Sequence, residues 1–216
     1  MSLKNKRVVI TSALRTAVGA FNGSLKKMHA HELGSIVIRE VIKKSNLKFK
    51  EVDDLIMGQV LTAGAGQNPA RQAGIKAGLP IDKPAHIVNQ VCGSGLRSIV
   101  NGYHSIISDD AKIVVAGGQE SMTNAPHTIN FRNDKKLDES KLVDTMIKDG
   151  LWDAFNGYHM GVTAENVAKK WNITRKDQDN FALSSQIKAQ RAQKKGNFKN
   201  EIVPIKNFKI DEHPRN

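Results

Sequence analysis

Hydrophobic and polar positions in the first half of the chain follow two periods in turn, one typical of strands and one typical of helices. Short apolar runs predict four strands, over 7–13, 53–60, 84–91 and 112–116. Apolar residues at helical spacing predict three helices between them, over 31–42, 68–77 and 92–108. Strands joined by helices of this length form right-handed crossovers. We therefore expect an α/β fold with a mainly parallel sheet and helices on both faces.

The pattern changes in the second half of the chain. Residues 122–141 mix Asn, Pro, Thr and paired lysines without a sustained period, and we interpret them as an excursion from the sheet. Two further helices and a weak strand are predicted after them, over 161–171, 174–195 and 201–205. Thr174 and Asp177 are spaced as a helix cap. We accordingly divide the chain into two segments, 1–121 and 122–216.

Composition narrows the classes of function. The sequence has 33 Lys and Arg against 21 Asp and Glu, a net charge of +12, which makes nucleic acid a hypothesis to weigh. The lysines form scattered pairs and only 5% of residues are aromatic, so no base-stacking surface and no nucleic-acid partner are expected. No apolar run approaches the ~18 residues of a membrane span. The apolar run behind the basic N-terminus meets Arg15 too early for a signal peptide, so we expect a cytoplasmic protein without a membrane partner.

Cys92 is the only cysteine, which excludes an internal disulfide and a zinc site of several thiolates. It lies where the third predicted strand turns into a helix, in the sequence NQVCGSGLR. A helix N-terminus favours the thiolate, and the thiolate is the nucleophile. Gly93 and Gly95 keep the first turn narrow enough for a thioester to reach the sulfur. The same glycines are equally explained by close packing of the helix on the sheet, and spacing alone does not decide between the two.

Five sequence blocks together resemble the thiolase family. They are QVCGSG at 90–95, AGGQESMTNAPH at 116–127, NGYHMGVTAEN at 156–166, GQNPARQ at 66–72 and DEHPR at 211–215. Related condensing enzymes share a cysteine at a helix start but not the Glu120-Ser121-Met122 block. The likeness extends over essentially all 216 residues, and the GYHMG sequence is closest to the short-chain, acetyl-transferring members.

The resemblance implies a particular fold. Thiolases stack two similar halves in five layers and insert a lid-like loop domain into the first half. On that basis, residues 1–121 form most of the N-terminal half, a layered α/β/α sandwich, and residues 122–216 form part of the loop (lid) domain. Such a half leaves one apolar helix layer uncovered, so we expect the isolated chain to be poorly soluble or oligomeric.

The resemblance also implies an activity. It is an acyltransferase reaction of the thiolase type that condenses two acetyl-CoA to acetoacetyl-CoA, or the reverse thiolysis, through an acylated Cys92. Leu151, His159 and Met160 fall where the family lines its acyl and pantetheine pocket, with His159 as a binder more than a base. No metal and no cofactor is implied, since the coenzyme A thioesters are the substrates.

The resemblance further implies what this chain lacks and what it binds. The family's catalytic histidine and second cysteine lie in the second half, and none of the seven histidines here stands in the family's Gly-His-Pro context. The expected partners are acetyl-CoA and acetoacetyl-CoA, further copies of the chain in a dimer or tetramer, and a separate chain carrying the C-terminal half. The alternative is a non-catalytic remnant or subunit that binds acyl-CoA or a partner chain without turnover.

Overall fold

The computed structural model describes residues 6–132 and 138–215. This part of the chain contains nine short strands: β1 (Arg15–Thr16), β2 (Asp54–Gly58), β3 (Ala85–Val88), β4 (Val114–Gly118), β5 (His127–Thr128), β6 (Val143–Asp144), β7 (Trp152–Asp153), β8 (Tyr158–His159) and β9 (Ile202–Val203). It also contains five α-helices: α1 (Ala30–Lys44), α2 (Pro69–Ala77), α3 (Ser94–Ile107), α4 (Met160–Lys170) and α5 (Arg175–Lys194). None of the described helices is both long and apolar enough to cross a bilayer.

Strands β3, β2 and β4 form a parallel sheet in that order. The middle strand, β2, is hydrogen-bonded on both sides, and Leu55 lies opposite Ala85 and Val115. Residues 55–58 are all buried, which is the near-continuous apolar run expected of a strand covered on both faces. The predicted α/β class and parallel sheet are confirmed.

Helices α1 and α2 cover one face of this sheet and enclose the main core. Its members are Ile38, Ile42, Val52, Leu55, Met57, Ala70, Ala73, Ala77, Leu79 and Val115. The bounds of α2 follow from local signals, because the Asn68 side chain accepts a hydrogen bond from the Arg71 N–H and Gly78 ends the helix at φ 111°.

Helix α3 covers the opposite face. Ile56, which points away from Leu55 in the pleat, is fully buried, and the buried Ser98 hydroxyl donates to the Gly117 carbonyl at 2.7 Å. The outer side of α3 has no cover within the described chain, since Leu96 is 70% exposed and Tyr103 is 49% exposed. The expected uncovered apolar helix layer is therefore present.

Several predicted elements differ from the observed ones, such as the strand predicted over 84–91, which is observed as Ala85–Val88. Residues 7–13 form no strand, and Ile10 is 76% exposed, because a β-rich run needs a neighbouring strand and only Arg15 and Thr16 find one in β9. Strand β4 begins at Val114, since the N–H groups of Lys112 and Ile113 donate to the Asp53 carboxylate instead. Helix α3 begins at Ser94 rather than Cys92, because Gly93 is its N-cap.

The second half of the described chain is built from small pieces around two helices. Strands β5 and β6 pair antiparallel, as do β7 and β8, and a π-helical turn, Met146–Leu151, lies between the two pairs. Both predicted helices are present as α4 and α5, and the predicted Thr174–Asp177 cap is confirmed. The division at residue 121 stays a prediction, and residues 1–5, 133–137 and 216 of the two segments lie outside the described residues.

Residues 201–212 contact residues 15–24, a long-range contact that was not predicted from the sequence. Strand β9 pairs with β1, and the Arg15 guanidinium donates to both carboxylate oxygens of Asp211 at 2.7 and 3.0 Å. Glu212 accepts hydrogen bonds from the Ala20 and Ser24 N–H groups. The DEHPR block thus anchors residues 15–24.

Candidate active site

Cys92 lies in a turn between β3 and α3, at the carboxyl end of the parallel sheet. The Gly93 N–H donates to the Gln90 carbonyl, and the Ser94 N–H donates to the Val91 carbonyl, both at 3.0 Å. Cys92 is exposed and directly precedes Gly93, the N-cap of α3. The thiol is therefore open to a large reactant and lies beside the positive end of the helix dipole.

The backbone just before Cys92 is unusual. Val91 has φ 48°, in the left-handed region that a β-branched residue rarely occupies. The Asn89 side chain accepts from the Val91 N–H at 3.0 Å. The Ser94 hydroxyl donates to the Val91 carbonyl at 2.6 Å and accepts from the Gln90 N–H at 2.9 Å. The turn is thus held from both sides by side chains.

Glycines let the start of α3 lie directly on the sheet. A Cβ at Gly58, the last residue of β2, would lie 2.4 Å from the Ser94 carbonyl carbon. A Cβ at Gly118 would lie 3.3 Å from the Gly95 Cα. The positions that must be glycine for this approach are thus Gly58 and Gly118 of the sheet, since a Cβ at Gly95 would make only ordinary contact, 3.8 Å from the Gly118 Cα. The close-packing explanation of Gly93 and Gly95 stays a prediction beside that of the reactive thiol.

Gln119 and Glu120 anchor the segment that follows β2. The Gln119 amide donates to the buried Gln59 side chain at 2.8 Å. The Glu120 carboxylate accepts from the N–H groups of Val60 and Leu61 at 2.8 and 3.2 Å. Burial raises the pKa of Glu120, and these two hydrogen bonds oppose the rise.

Three further residues of this block anchor residues 22–28. The Ser121 hydroxyl and the Asn124 amide both donate to the Met28 carbonyl, at 3.0 and 2.9 Å. The Thr123 hydroxyl accepts from the Asn22 N–H at 3.0 Å. The block from 119 to 124 thereby joins two distant loops to the end of β4.

A cavity of about 340 Å³ lies between these loops and the start of α1. Its lining includes His29, His31, Gln59, Leu61, Ser121 and Asn124, and none of the four predicted site residues. The rings of His29 and His31 stack at 5.8 Å, and burial lowers the pKa of His31. Polar groups on its walls, such as Ser121 and Asn124, already have protein partners.

Leu151, His159 and Met160 come together at the open end of the β7–β8 pair. Leu151 ends the π-helical turn and directly precedes Trp152, which lies opposite His159. His159 caps α4 by accepting from the Gly161 N–H through Nδ1 at 3.0 Å, and Met160 is 43% exposed. Within residues 6–132 and 138–215, no hydrogen bond or ion pair joins these three to Cys92, and their binding role stays a prediction.

Sequence reasoning missed the residues that shape the turn around Cys92. No local signal indicates that Val91 is left-handed, because Gly or Asn is the usual residue at such a position. The hydroxyl of Ser94, two positions after Cys92, was a recognisable candidate, since short polar side chains commonly bond to nearby backbone. The two N–H partners of Glu120 lie about 60 positions away along the chain and have no sequence signature.

The fold and the site together define an α/β protein with an exposed cysteine at the carboxyl edge of a parallel sheet, a place where such folds commonly put reactive groups. Among the described residues, no group of three or more His, Cys, Asp or Glu side chains is placed to hold a metal ion.

Comparison with known proteins identifies the family. The family described as "Thiolase, N-terminal domain" matches residues 8–215, so the chain belongs to the thiolases. It is 57% identical over 203 residues to an acetyl-CoA acetyltransferase of Rhizobium meliloti, covering 94% of this chain and 52% of the relative. It is 58% identical over 199 residues to that of Cupriavidus necator, covering 92% of this chain and 51% of the relative. A cytosolic acetyl-CoA acetyltransferase of Rattus norvegicus is 48% identical over 223 residues, covering 100% of this chain and 56% of the relative. The chain spans about half the length of the curated relatives it matches.

Proposed function

We propose that Cys92 is the acyl-accepting nucleophile of a thiolase reaction that condenses two acetyl-CoA to acetoacetyl-CoA, or cleaves acetoacetyl-CoA in reverse. The observation that carries the proposal is the exposed thiol on a tightly held turn, in a chain that matches the thiolase N-terminal domain almost from end to end. The relatives named above are acetyl-CoA acetyltransferases, which supports acetyl as the group transferred.

The chemistry has two steps. The Cys92 thiolate attacks the carbonyl carbon of acetyl-CoA, a carbon–sulfur bond to Cys92 forms, the bond to coenzyme A breaks, and coenzyme A leaves as a thiolate that takes up a proton. A base then removes an α-proton from a second acetyl-CoA, and the resulting carbanion attacks the acyl-cysteine. Acetoacetyl-CoA forms and the Cys92 thiolate is released. Backbone N–H groups near the start of α3 are candidates to stabilise the oxyanion of the first step.

Leu151, His159 and Met160 are proposed to contact the acyl and pantetheine part of the substrate. Their grouping beside one strand pair and the exposure of His159 and Met160 support this role. The His159 ring already caps α4 through Nδ1, which favours a fixed binding group over a mobile base.

We propose that this chain needs a second half to complete the condensation. It spans about half of its relatives' length, and the outer side of α3 together with α4 and α5 carries exposed apolar residues that a further layer would cover. The assembly is proposed to be a dimer or tetramer. A cytoplasmic location is part of the proposal, and a lone free cysteine is compatible with it.

The test is to incubate the purified chain with acetyl-CoA and to follow two readouts, the intact mass and the formation of acetoacetyl-CoA. We expect Cys92 to gain the mass of one acetyl group, Cys92→Ala to gain nothing, and acetoacetyl-CoA to remain at background. Rapid condensation that Cys92→Ala abolishes would contradict the need for a second half. An unmodified Cys92 in a chain that still binds acetyl-CoA would favour a non-catalytic acyl-CoA-binding subunit.

A further inference from the structure

Val91 is held in a conformation that its own side chain disfavours. Its φ of 48° places a β-branched residue in the left-handed region, directly before Cys92. Conformations of this kind persist only where the surrounding contacts determine them, and they concentrate at functional sites. The contacts around Val91 therefore indicate which residues shape the turn.

The Ser94 side chain makes the strongest of these contacts. It is 4% exposed, and its hydroxyl both donates to the Val91 carbonyl at 2.6 Å and accepts from the Gln90 N–H at 2.9 Å. A serine at a helix start usually accepts from an N–H of its own helix, but the N-cap of α3 is Gly93, which has no side-chain cap. The hydroxyl of Ser94 points back into the turn instead.

The backbone of Ser94 is itself immobilised against the sheet. Gly58 approaches so closely that a Cβ there would lie 2.4 Å from the Ser94 carbonyl carbon. The hydroxyl is thus attached to a rigid support, and the two hydrogen bonds transmit that rigidity to Gln90 and Val91. Cys92 lies between the held residues and their support.

We propose that Ser94 is a positioning residue that keeps Val91 left-handed and thereby presents the Cys92 thiol to the thioester. The inference rests on the proposed function of Cys92 as nucleophile. Without the hydroxyl, the Gln90 N–H and the Val91 carbonyl lose a partner, Val91 relaxes to a negative φ, and the peptide that leads into Cys92 rotates. The thiol then leaves the orientation in which transfer is fast, although it remains exposed.

The experiment compares rates at Cys92 in the full chain for five forms: the parent, Ser94→Ala, Val91→Gly, the double variant and Ser98→Ala. Ser98 is the matched control, because it is a fully buried serine one turn later whose hydroxyl donates to the Gly95 and Gly117 carbonyls and not to the turn. Two reactions are timed by intact mass, acetyl transfer from acetyl-CoA and alkylation by iodoacetamide. Urea unfolding of each variant reports stability separately.

We expect Ser94→Ala to slow acetyl transfer about 10-fold, within the ~100-fold loss that a 1 Å misplacement of a reacting group produces. Ser98→Ala should lower stability and change the rate by less than about 2-fold, because its hydroxyl does not touch the turn. Glycine has no preference for a negative φ, so Val91→Gly should restore the double variant to within about 3-fold of the parent. Rescue of this kind would not follow from a merely structural role of Ser94.

Two results would overturn the proposal: a Ser94→Ala rate equal to the parent's, or a double variant no faster than Ser94→Ala. If Ser94→Ala does not fold, Asn89→Ala tests the premise that a left-handed Val91 sets the rate at Cys92, since Asn89 is exposed and its side chain accepts from the Val91 N–H. A parent-like rate in Asn89→Ala would then overturn the proposal. Failure of the proposed function looks different. In that case no form accepts an acetyl group from acetyl-CoA. Alkylation by iodoacetamide is still slower in Ser94→Ala than in the parent, Ser98→Ala and the double variant.

Discussion

The sheet unit, residues 30–118, and the distal region, residues 138–195, both contain helices with apolar residues but differ in how much of those helices is buried. Helix α1 has 15 residues, of which six are buried, including Ile38 and Ile42. Helix α5 is longer, at 20 residues, yet none of its residues or those of α4 is buried. A periodic apolar stripe predicts that a helix will pack, but only a neighbouring element decides whether it does.

The exposed residues of the distal region are large and apolar. Phe181 is 78% exposed, Leu183 is 60% exposed and Trp171 is 68% exposed. Singly exposed apolar residues are ordinary on a protein surface, whereas several on adjacent helices indicate a contact surface. The sheet unit therefore contains its own core, whereas the distal region carries apolar surface that no other described part of the chain covers.

Removing a leucine from each region should give the largest contrast. Leu55→Ala, at a fully buried position between β3 and β4, should lower the free energy of unfolding by about 2–5 kcal/mol, because it leaves a cavity in the core. Leu183→Ala should change it by less than about 0.5 kcal/mol. Urea unfolding followed by circular dichroism measures both. Equal losses would mean that the distal region has a core of its own.

Adding one methyl group tests how closely the sheet unit holds the site. Gly58→Ala should destabilise the chain by about 1–3 kcal/mol and slow alkylation of Cys92, because its Cβ collides with the Ser94 carbonyl carbon. Gly117→Ala is the matched control, since a Cβ there meets nothing within 4 Å. If the two variants unfold alike, backbone contact at Gly58 does not set the position of α3.

Removing the charge of Asp211 tests how the segment that follows the distal region is attached to residues 15–18. The Arg15 guanidinium holds the pKa of Asp211 below its usual value of 3.8, so this ion pair stabilises the fold at neutral pH. Asp211→Asn should cost about 1.5–3 kcal/mol at pH 7, the range for hydrogen bonds to charged groups. The difference from the parent should shrink as the pH falls below about 4 and protonates Asp211 in the unfolded chain first and then in the folded one.

Asp179→Asn is the control for this pair, because the Arg175–Asp179 pair is mostly exposed and should have no measurable effect. Thermal unfolding of the two variants and the parent is measured from about pH 2.5 to about pH 7. This interval spans roughly the range in which carboxylates titrate. A loss for Asp211→Asn that persists unchanged at the acidic end would show that the carboxylate charge is not what matters.

The smallest effect on stability is expected at Glu120. Its pKa shift is opposite in direction to that of Asp211, so its contribution to stability changes with pH in the opposite sense. Burial raises the pKa of Glu120 above 4.5, so the folded chain binds this proton more tightly than the unfolded chain. Its contribution to stability is therefore greatest in acid and declines as the pH rises from 4.5 through the raised value. Glu120→Gln should remove this decline, so that the difference in unfolding free energy between parent and variant changes across that window. A difference that is constant with pH would contradict the assignment to Glu120.

Local signals were sufficient to predict several elements. Asn68, Pro69 and Gly78 delimit α2, and Thr174 with Asp177 starts α5, where the sequence places them. Each of these signals acts within one helical turn, so the residues that decide the structure are adjacent in the sequence. The same is true of the strand–helix alternation that predicted a parallel sheet.

The sequence-based predictions failed where a residue's structure depends on partners that are distant along the chain. Residues 7–13 have the composition of a strand but no paired neighbour in the described chain, and Arg15 and Thr16 pair with β9 from the other end of the sequence. Cys92 could be recognised as a candidate nucleophile from its motif. The conformation of the turn that holds Cys92 could not be predicted from the motif. The left-handed Val91 depends on the Ser94 hydroxyl and on the close approach of Gly58 in β2.

The sequence by itself therefore determined the α/β class, the helix limits that rest on caps and the identity of the single thiol. Tertiary structure alone decided which apolar faces are buried, how the turn around Cys92 is held and that Glu120 receives two N–H groups from residues 60 and 61. The difference arises from how far apart the interacting residues are along the sequence. Caps and periodicity act between residues a few positions apart, whereas burial and hydrogen bonding across the sheet depend on which distant segments the fold brings together.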